Sequence, residues 1–241
     1  MENPATNEKT IESIEQFGWK NLIFSILVYL LMSVGIGVLL GGALGIYDAL
    51  FNRHLVEKLF SGYPLLFIDA LAFFLAFFAY RPVRMFLRGI WDFSVLKQGK
   101  TYMYLGIALI VNAAVQYIML SVLGVESATQ QRATLGVASL EHTALEYALY
   151  IIAVACVTPI KEELIFRGIV YRFLEQKYNF WIGIVVSSLF FGILHAGFPI
   201  TAFIMGAIFA YLYKKTNSIV TPICLHIIWN LLGSVMQIMG S

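Results

Sequence analysis

The chain has 241 residues, of which 60% are hydrophobic and 12% are charged, and its mean hydropathy is +0.80. Soluble globular domains carry about 25% charged residues, so this chain cannot cover a water-facing surface, and most of its surface must face lipid. The net charge of +2 is not gathered into one basic face, which excludes a nucleic-acid partner.

Long runs without charged residues predict an all-α fold, a polytopic transmembrane helical bundle with about seven spans. A helix needs about 20 apolar residues to cross the hydrocarbon core of a bilayer. The run at residues 178–213 is too long for one span, and His195-Ala-Gly-Phe-Pro199 predicts a break between two helices. The predicted spans are residues 21–47, 61–80, 102–123, 145–174, the two helices within 178–213, and 218–239.

The basic residues predict the orientation of these spans, because cytoplasmic loops are enriched in Lys and Arg. With the N-terminus inside, eleven basic residues fall on the inner side and three on the outer side. We therefore expect a multi-pass membrane protein with a cytoplasmic N-terminus and an outer C-terminus. The inner residues are Lys9, Lys20, Arg81, Arg84, Arg88, Lys97, Lys100, Arg172, Lys177, Lys214 and Lys215, and the outer residues are Arg53, Lys58 and Arg132.

The segment 81–100, between the second and third spans, predicts an interfacial helix. Its arginines share one face, and its apolar side chains would enter the headgroup boundary. A basic loop that holds the topology is an equal alternative. The arginines are Arg81, Arg84 and Arg88, and the apolar residues are Phe86, Ile90 and Phe93.

The fourth span contains Glu162-Glu163-Leu-Ile-Phe-Arg167. An ionisable residue inside a membrane is costly and needs a partner or a task. Glu163 and Arg167 are four residues apart on a helix, which favours an ion pair, and Glu162 points about 100° away. We therefore expect one structural carboxylate and one free carboxylate. The alternatives are that both acids bind the arginine or that the cluster marks the cytoplasmic helix end.

Two histidines lie in the apolar runs that follow. His195 ends Phe191-Gly-Ile-Leu-His195, and His226 shares a helix face with Asn230. Each histidine alone is more typical of a hydrogen-bonded core residue. Together with a free Glu162, however, two imidazoles are the groups that activate a water molecule. They can act as acid and base, or hold a zinc ion, although the HExxH signature is absent.

The three motifs resemble a known family. Glu162-Glu163-xxx-Arg167, Phe191-xxx-His195 and His226-xxx-Asn230 are similar, in this order, to the motifs of the CPBP family, the CAAX proteases and bacteriocin-processing enzymes also called the Abi family. The resemblance covers about residues 145–235. Each motif is weak alone, whereas all three in order within apolar segments are specific.

The resemblance implies an intramembrane endopeptidase. Glu162 would activate water, and His195 and His226 would orient that water or join Glu162 in binding a metal. Asn230 would hold the site or polarise the scissile carbonyl. The supporting residues would be Glu163, Arg167 and Phe191. The cofactor is zinc, or none if Glu162 alone activates the water.

On this interpretation, residues 1–20 are a cytoplasmic segment, 21–143 hold the first spans, the interfacial segment and an outer loop, and 144–241 form a catalytic four-helix core. The partners are the lipid bilayer and a peptide or protein substrate at the membrane. An alternative is a non-catalytic scaffold or a bacteriocin-immunity-type binding protein. A weaker one is a transporter that relays protons through Asp69 and Glu162. The substrate and the oligomeric state are not encoded in any motif.

Overall fold

A computed structural model gives the fold of residues 17–140 and 143–239, which form helices and no strand. The predicted all-α membrane bundle is therefore confirmed. Most of the predicted cytoplasmic segment, residues 1–16, lies outside the described part of the chain. The described residues divide into two compact units, one of residues 17–60 and 64–89 and one of residues 61–63 and 90–239.

The first unit is built on two long helices, α1 (Trp19–Phe51) and α2 (Pro64–Ala79), which pack against each other. Tyr29 of α1 donates a hydrogen bond to Asp69 of α2. The ring of Tyr29 also meets the edge of Phe73, with 5.8 Å between ring centroids. The acid in the second predicted span is therefore held by the neighbouring helix.

Helix α1 carries a broad apolar surface that no other described residue covers. Leu31, Leu39 and Leu50 are each more than 70% exposed. Contiguous apolar surface of this size is not stable against water and marks contact with a partner or a membrane. In a helix that is apolar on all sides, lipid is the matching environment.

The second unit contains five long helices and holds all the motif residues. Helix α4 is continuous but changes from α to π geometry twice along its length. The helices are α3 (Gly99–Val122), α4 (residues 144–177), α5 (Phe180–Ile193), α6 (Pro199–Thr216) and α7 (Val220–Met239).

Local sequence explains where these helices begin and end. The Asn179 side chain accepts a hydrogen bond from the Ile182 N–H at 3.0 Å and so caps the start of α5. Helix α6 begins with Pro199, which needs no N–H at that position. It ends at Asn217, whose φ of 51° is a left-handed cap. The predicted break at His195–Pro199 is confirmed.

An aromatic cluster joins the helices of the second unit. Phe166 of α4, Phe191 of α5 and Phe209 of α6 are each at most 7% exposed. The Phe191 ring centroid lies 5.1 Å from that of Phe166 and 6.2 Å from that of Phe209. These distances are typical of packed aromatic pairs. Leu225 of α7 and Leu105 of α3 complete this core.

The seven long helices among the described residues coincide with the seven predicted spans. By length and composition, α1, α3 and α7 qualify as membrane-crossing helices, and α2 and α5 are shorter apolar helices. Membrane insertion is therefore supported, whereas the span count and the orientation stay predictions.

The expectation of one interfacial helix over residues 81–100 is wrong in detail. The described residues there form a short helix, Arg81–Phe86, and a 3₁₀ turn, Phe93–Lys97. Phe86 is fully buried against Phe17, and Ile90 is 3% exposed, so neither can enter a headgroup layer. Of the three predicted apolar contacts, only Phe93 is exposed, at 61%.

Candidate active site

Helix α4 presents the glutamates on a short α-helical segment between two π segments. The π segments are Ile152–Val157 and Leu164–Tyr171, and the α segment between them is Thr158–Glu163. Pro159 has no N–H to donate to the preceding turn, which explains why the helix widens just before it. Single π turns inside α-helices occur frequently at functional sites.

The predicted ion pair between Glu163 and Arg167 is present and fully buried. The Arg167 Nη1 donates to Glu163 Oε1 at 2.8 Å, and both side chains are 0% exposed. The Nη2 of Arg167 donates to the Gly206 carbonyl of α6 at 3.0 Å. The guanidinium carbon also lies 4.5 Å from the Phe191 ring centroid and 5.0 Å from that of Phe209. Arg167 therefore ties α4 to α5 and α6.

His226 contacts the two glutamates through different ring nitrogens. Its Nδ1 lies 2.9 Å from Glu163 Oε1, and its Nε2 lies 3.8 Å from Glu162 Oε2. Glu163 Oε1 already accepts from Arg167, so we assign Glu163 as a carboxylate and Nδ1 of His226 as the donor. The imidazole is 3% exposed and stacks on Phe209 with 4.8 Å between centroids. Its Nε2 is thereby held toward Glu162.

Glu162 is the accessible carboxylate of the cluster. Its side chain is 18% exposed, whereas the side chains of Glu163 and Arg167 are fully buried. Within the described residues, its polar contact is the one with His226 Nε2, which at 3.8 Å exceeds hydrogen-bond length. The expected division into a structural Glu163 and a free Glu162 agrees with this geometry.

His195 lies beside the charged cluster rather than in it. Its Nδ1 is 2.6 Å from the carbonyl of Phe191, and its ring is partly exposed. Among the described residues it makes no hydrogen bond with Glu162 or His226. The Phe191 ring contacts both imidazoles, at 4.3 Å from His195 and 5.9 Å from His226. Both imidazoles therefore contact the Phe191 ring, but within the described part of the chain they form no hydrogen bond with each other.

Asn230 connects α7 to the first π segment of α4. Its Nδ2 donates to the Val154 carbonyl at 2.9 Å. A π segment shifts the hydrogen-bond register of the helix, so its carbonyls need additional donors. This contact agrees with a holding role for Asn230, one turn after His226.

The donor set does not form a three-ligand metal site in this conformation. Among residues 17–140 and 143–239, no group of three His, Cys, Asp or Glu side chains converges on one point. Glu162 and His226 supply two donors, and His195 is turned toward the Phe191 carbonyl. The described residues therefore do not fit tetrahedral zinc, which in a catalytic site needs three protein ligands and an open position.

Several contacts of the site are not predicted by the sequence patterns. The Gly206 and Val154 carbonyls are backbone acceptors, and Phe209 is one of many aromatic residues in the chain. Glu126 lies in the predicted outer loop, yet it is 8% exposed and binds the start of α6. The sequence shows Glu126 only as an acidic residue in a polar loop. Nothing in that pattern indicates that the side chain is buried.

Together, the fold and this cluster define a helical membrane protein with ionisable groups on α4 and α7 and a partly exposed histidine in the turn after α5. Residues 144–232 match the family described as type II CAAX prenyl endopeptidase Rce1-like. The recognition of this segment as CPBP-like is thereby confirmed.

A curated relative matches the same class. YdiL of Bacillus subtilis (strain 168), named as a candidate membrane peptidase, is 40% identical over 92 residues. The match covers 37% of this chain and 38% of the relative, so the chain spans well under half of that relative. No solved structure gives a significant match.

Proposed function

We propose that this protein is an intramembrane endopeptidase that hydrolyses a peptide bond of a membrane-associated protein or peptide. The observation that carries the proposal is the partly exposed Glu162 carboxylate facing the Nε2 of His226 inside a helical bundle. An unpaired acid in such a setting is costly and is typical of a functional site. The Rce1-like match over the same helices supports a peptidase rather than another hydrolase.

In the proposed mechanism, Glu162 is the general base. Its Oε2 lies 3.8 Å from His226 Nε2, so one water molecule beside the line between them can bond to both atoms. Glu162 takes a proton from this water while the water oxygen bonds to the scissile carbonyl carbon. The carbon–nitrogen bond then breaks when the leaving nitrogen receives that proton from Glu162. The products are a carboxylic acid and an amine, and a proton passes from the acid to the amine to give a carboxylate and an ammonium group.

Glu163 and Arg167 support His226 in this mechanism. The Glu163 carboxylate fixes the imidazole through Nδ1, which leaves Nε2 to bond with water or substrate. Arg167 neutralises Glu163, so the buried carboxylate does not remain uncompensated. Neither residue needs to contact substrate. We therefore treat both as positioning residues.

His195 and Asn230 complete the proposed site from its two sides. The Nδ1 of His195 is occupied by the Phe191 carbonyl, and Nε2 has no hydrogen-bond partner among the described residues. Because Nδ1 donates to that carbonyl, Nε2 of the neutral ring is an acceptor, and it can accept a hydrogen bond from the attacking water or from a substrate N–H group and so orient it. Asn230 holds the first π segment, next to the segment that carries Glu162.

Two substrate classes are compatible with the proposed site, prenylated proteins and unmodified membrane peptides. The matched family is described by its action on CAAX prenyl proteins, whereas YdiL is named only as a membrane peptidase. Two quenched peptides in liposomes separate these alternatives. One carries an S-prenylated cysteine near its C-terminus, and the other is an unmodified single-span peptide.

The test compares wild type with Glu162→Ala and His226→Ala in proteoliposomes containing either peptide. We expect wild type to release product from at least one peptide, and each variant to lose at least about 100-fold in rate. Equal processing by both variants and wild type would refute the proposal. Peptide binding that survives Glu162→Gln without product from any form would instead identify a scaffold or immunity-type binding protein.

A further inference from the structure

Glu126 clasps the first turn of α6. This residue follows α3, and its carboxylate accepts hydrogen bonds from the N–H groups of Ile200 and Thr201 and from the Thr201 hydroxyl. The Thr201 N–H lies 3.1 Å from Oε2, and Glu126 is 8% exposed. Buried carboxylates with several N–H and O–H donors form strong, charge-assisted bonds. They also satisfy the free N–H groups of a helix start.

The next residue binds the turn that precedes α6. The Ser127 N–H donates to the Gly197 carbonyl at 2.8 Å. Gly197 has a φ of 93°, and a Cβ at this position would collide with the Ser127 carbonyl oxygen. Only glycine therefore allows both this turn and the close approach of the 126–127 segment.

His195 is the first residue of this turn. The Phe198 N–H donates to the His195 carbonyl at 3.3 Å, and the two rings lie 5.6 Å apart. The turn is thus held on one side by α5, through the Phe191 carbonyl, and on the other by Glu126 and Ser127. No other described residue caps the first turn of α6 with a side chain.

We propose that Glu126 is a positioning residue for His195. Through its clasp with Ile200 and Thr201 it fixes the turn that sets the direction of the imidazole toward the substrate. This inference rests on the proposed peptidase function and adds to it a residue outside the three motifs. The outer loop that contains Glu126 then acts as part of the site.

The kinetic test uses Glu126→Ala, Glu126→Gln and Gly197→Ala with the quenched peptide that wild type cleaves faster. A catalytic group displaced by about 1 Å can cost 100-fold in rate, so we expect kcat to fall roughly 10- to 100-fold for Glu126→Ala and Gly197→Ala. The KM should stay within about twofold, because substrate binding is not altered. Glu126→Gln keeps one acceptor oxygen and should recover part of the lost kcat.

Two matched controls separate positioning from general damage. A short helix, Leu55–Leu59, follows α1, and Asp48 accepts from the N–H groups of Leu55 and Val56 at its start, so Asp48→Ala removes the same kind of bond elsewhere. Gly124 has a φ of 60°, and a Cβ added there would meet no heavy atom within 4 Å, so Gly124→Ala adds strain without opening the clasp. We expect both controls to keep kcat within about twofold of wild type.

Hydrogen exchange of the backbone tests the clasp without any substrate. In Glu126→Ala, we expect exchange across residues 195–201 to rise about tenfold, with the rest of α5 and α6 unchanged. Unchanged exchange, or an unchanged kcat despite faster exchange, would overturn the inference. If wild type cleaves neither peptide, the peptidase proposal fails, and the exchange result alone still decides whether Glu126 holds this turn.

Discussion

The Nδ1 of His226 lies 2.9 Å from Oε1 of Glu163, the same oxygen that binds Arg167. This contact joins α7 to α4 across 63 residues of sequence. It fixes which imidazole nitrogen faces Glu162. The two adjacent glutamates thus have different tasks, and substitutions at the two positions should have different effects.

Glu163→Gln should reduce stability, whereas Glu162→Gln should not. The Gln side chain at position 163 leaves Arg167 as a buried charge without its partner, which costs about 3–5 kcal/mol. Glu162 is partly exposed and makes no ion pair with Arg167 among the described contacts. The measurement is folded yield and thermal unfolding in detergent. Reversed phenotypes would contradict the assignment of the two carboxylates.

Asn230→Leu should lower both stability and peptide cleavage. It removes the donor to the Val154 carbonyl, and a buried carbonyl without a partner costs about 1–3 kcal/mol. Tyr150→Phe is the matched control, because Tyr150 bonds Gln237 at 3.0 Å between the same two helices. We expect it to cost about 0.5–1.5 kcal/mol with unchanged cleavage. Equal cleavage by Asn230→Leu and wild type would exclude a role for this contact.

Gly192→Ala should disrupt the packing of α5 on α6. The added Cβ would lie 2.6 Å from the Pro199 carbonyl oxygen and 3.0 Å from the Phe203 Cβ. Overpacking of this kind costs about 1–3 kcal/mol. A Cβ added at Gly42 of α1 would meet no heavy atom within 4 Å. Gly42→Ala should therefore be neutral or stabilising by at most about 1 kcal/mol. Thermal unfolding of the two variants tests this difference in stability. Equal unfolding temperatures for Gly192→Ala and Gly42→Ala would contradict the prediction.

His195→Ala should leave the metal content of the purified protein unchanged. His195 Nδ1 binds the Phe191 carbonyl, and no third donor joins Glu162 and His226 among the described residues. Elemental analysis of wild type and variant, purified without added metal, provides the measurement. Stoichiometric zinc in wild type that is lost in His195→Ala would show that the three residues converge in solution.

The local features of this fold are predictable from sequence. The break at His195–Pro199 follows from Gly197 and Pro199, and the Glu163–Arg167 pair follows from four-residue helix spacing. The apolar runs coincide with the long helices because lipid-facing helices need continuous apolar sequence. These features depend on neighbours within one or two turns.

The contacts between distant segments are not predictable in this way. No local rule joins His226 to Glu163 or directs Arg167 to the Gly206 carbonyl. The interfacial prediction for Phe86 is wrong because an apolar residue beside arginines can enter either lipid or a protein core, and here Phe17 covers it. The pattern around Glu126 predicts only a loop residue, because its partners, two backbone N–H groups and the Thr201 hydroxyl, lie 74 and 75 residues away.

The most direct measurement follows the oxygen of the attacking water. Wild type and Glu162→Gln are incubated with the cleavable peptide in proteoliposomes prepared in ¹⁸O-labelled water, and products are read by mass spectrometry. We predict that the wild-type product carries one ¹⁸O in its new carboxylate, and that Glu162→Gln, folded to the same yield, forms no product. Labelled product from Glu162→Gln at the wild-type rate would contradict the account.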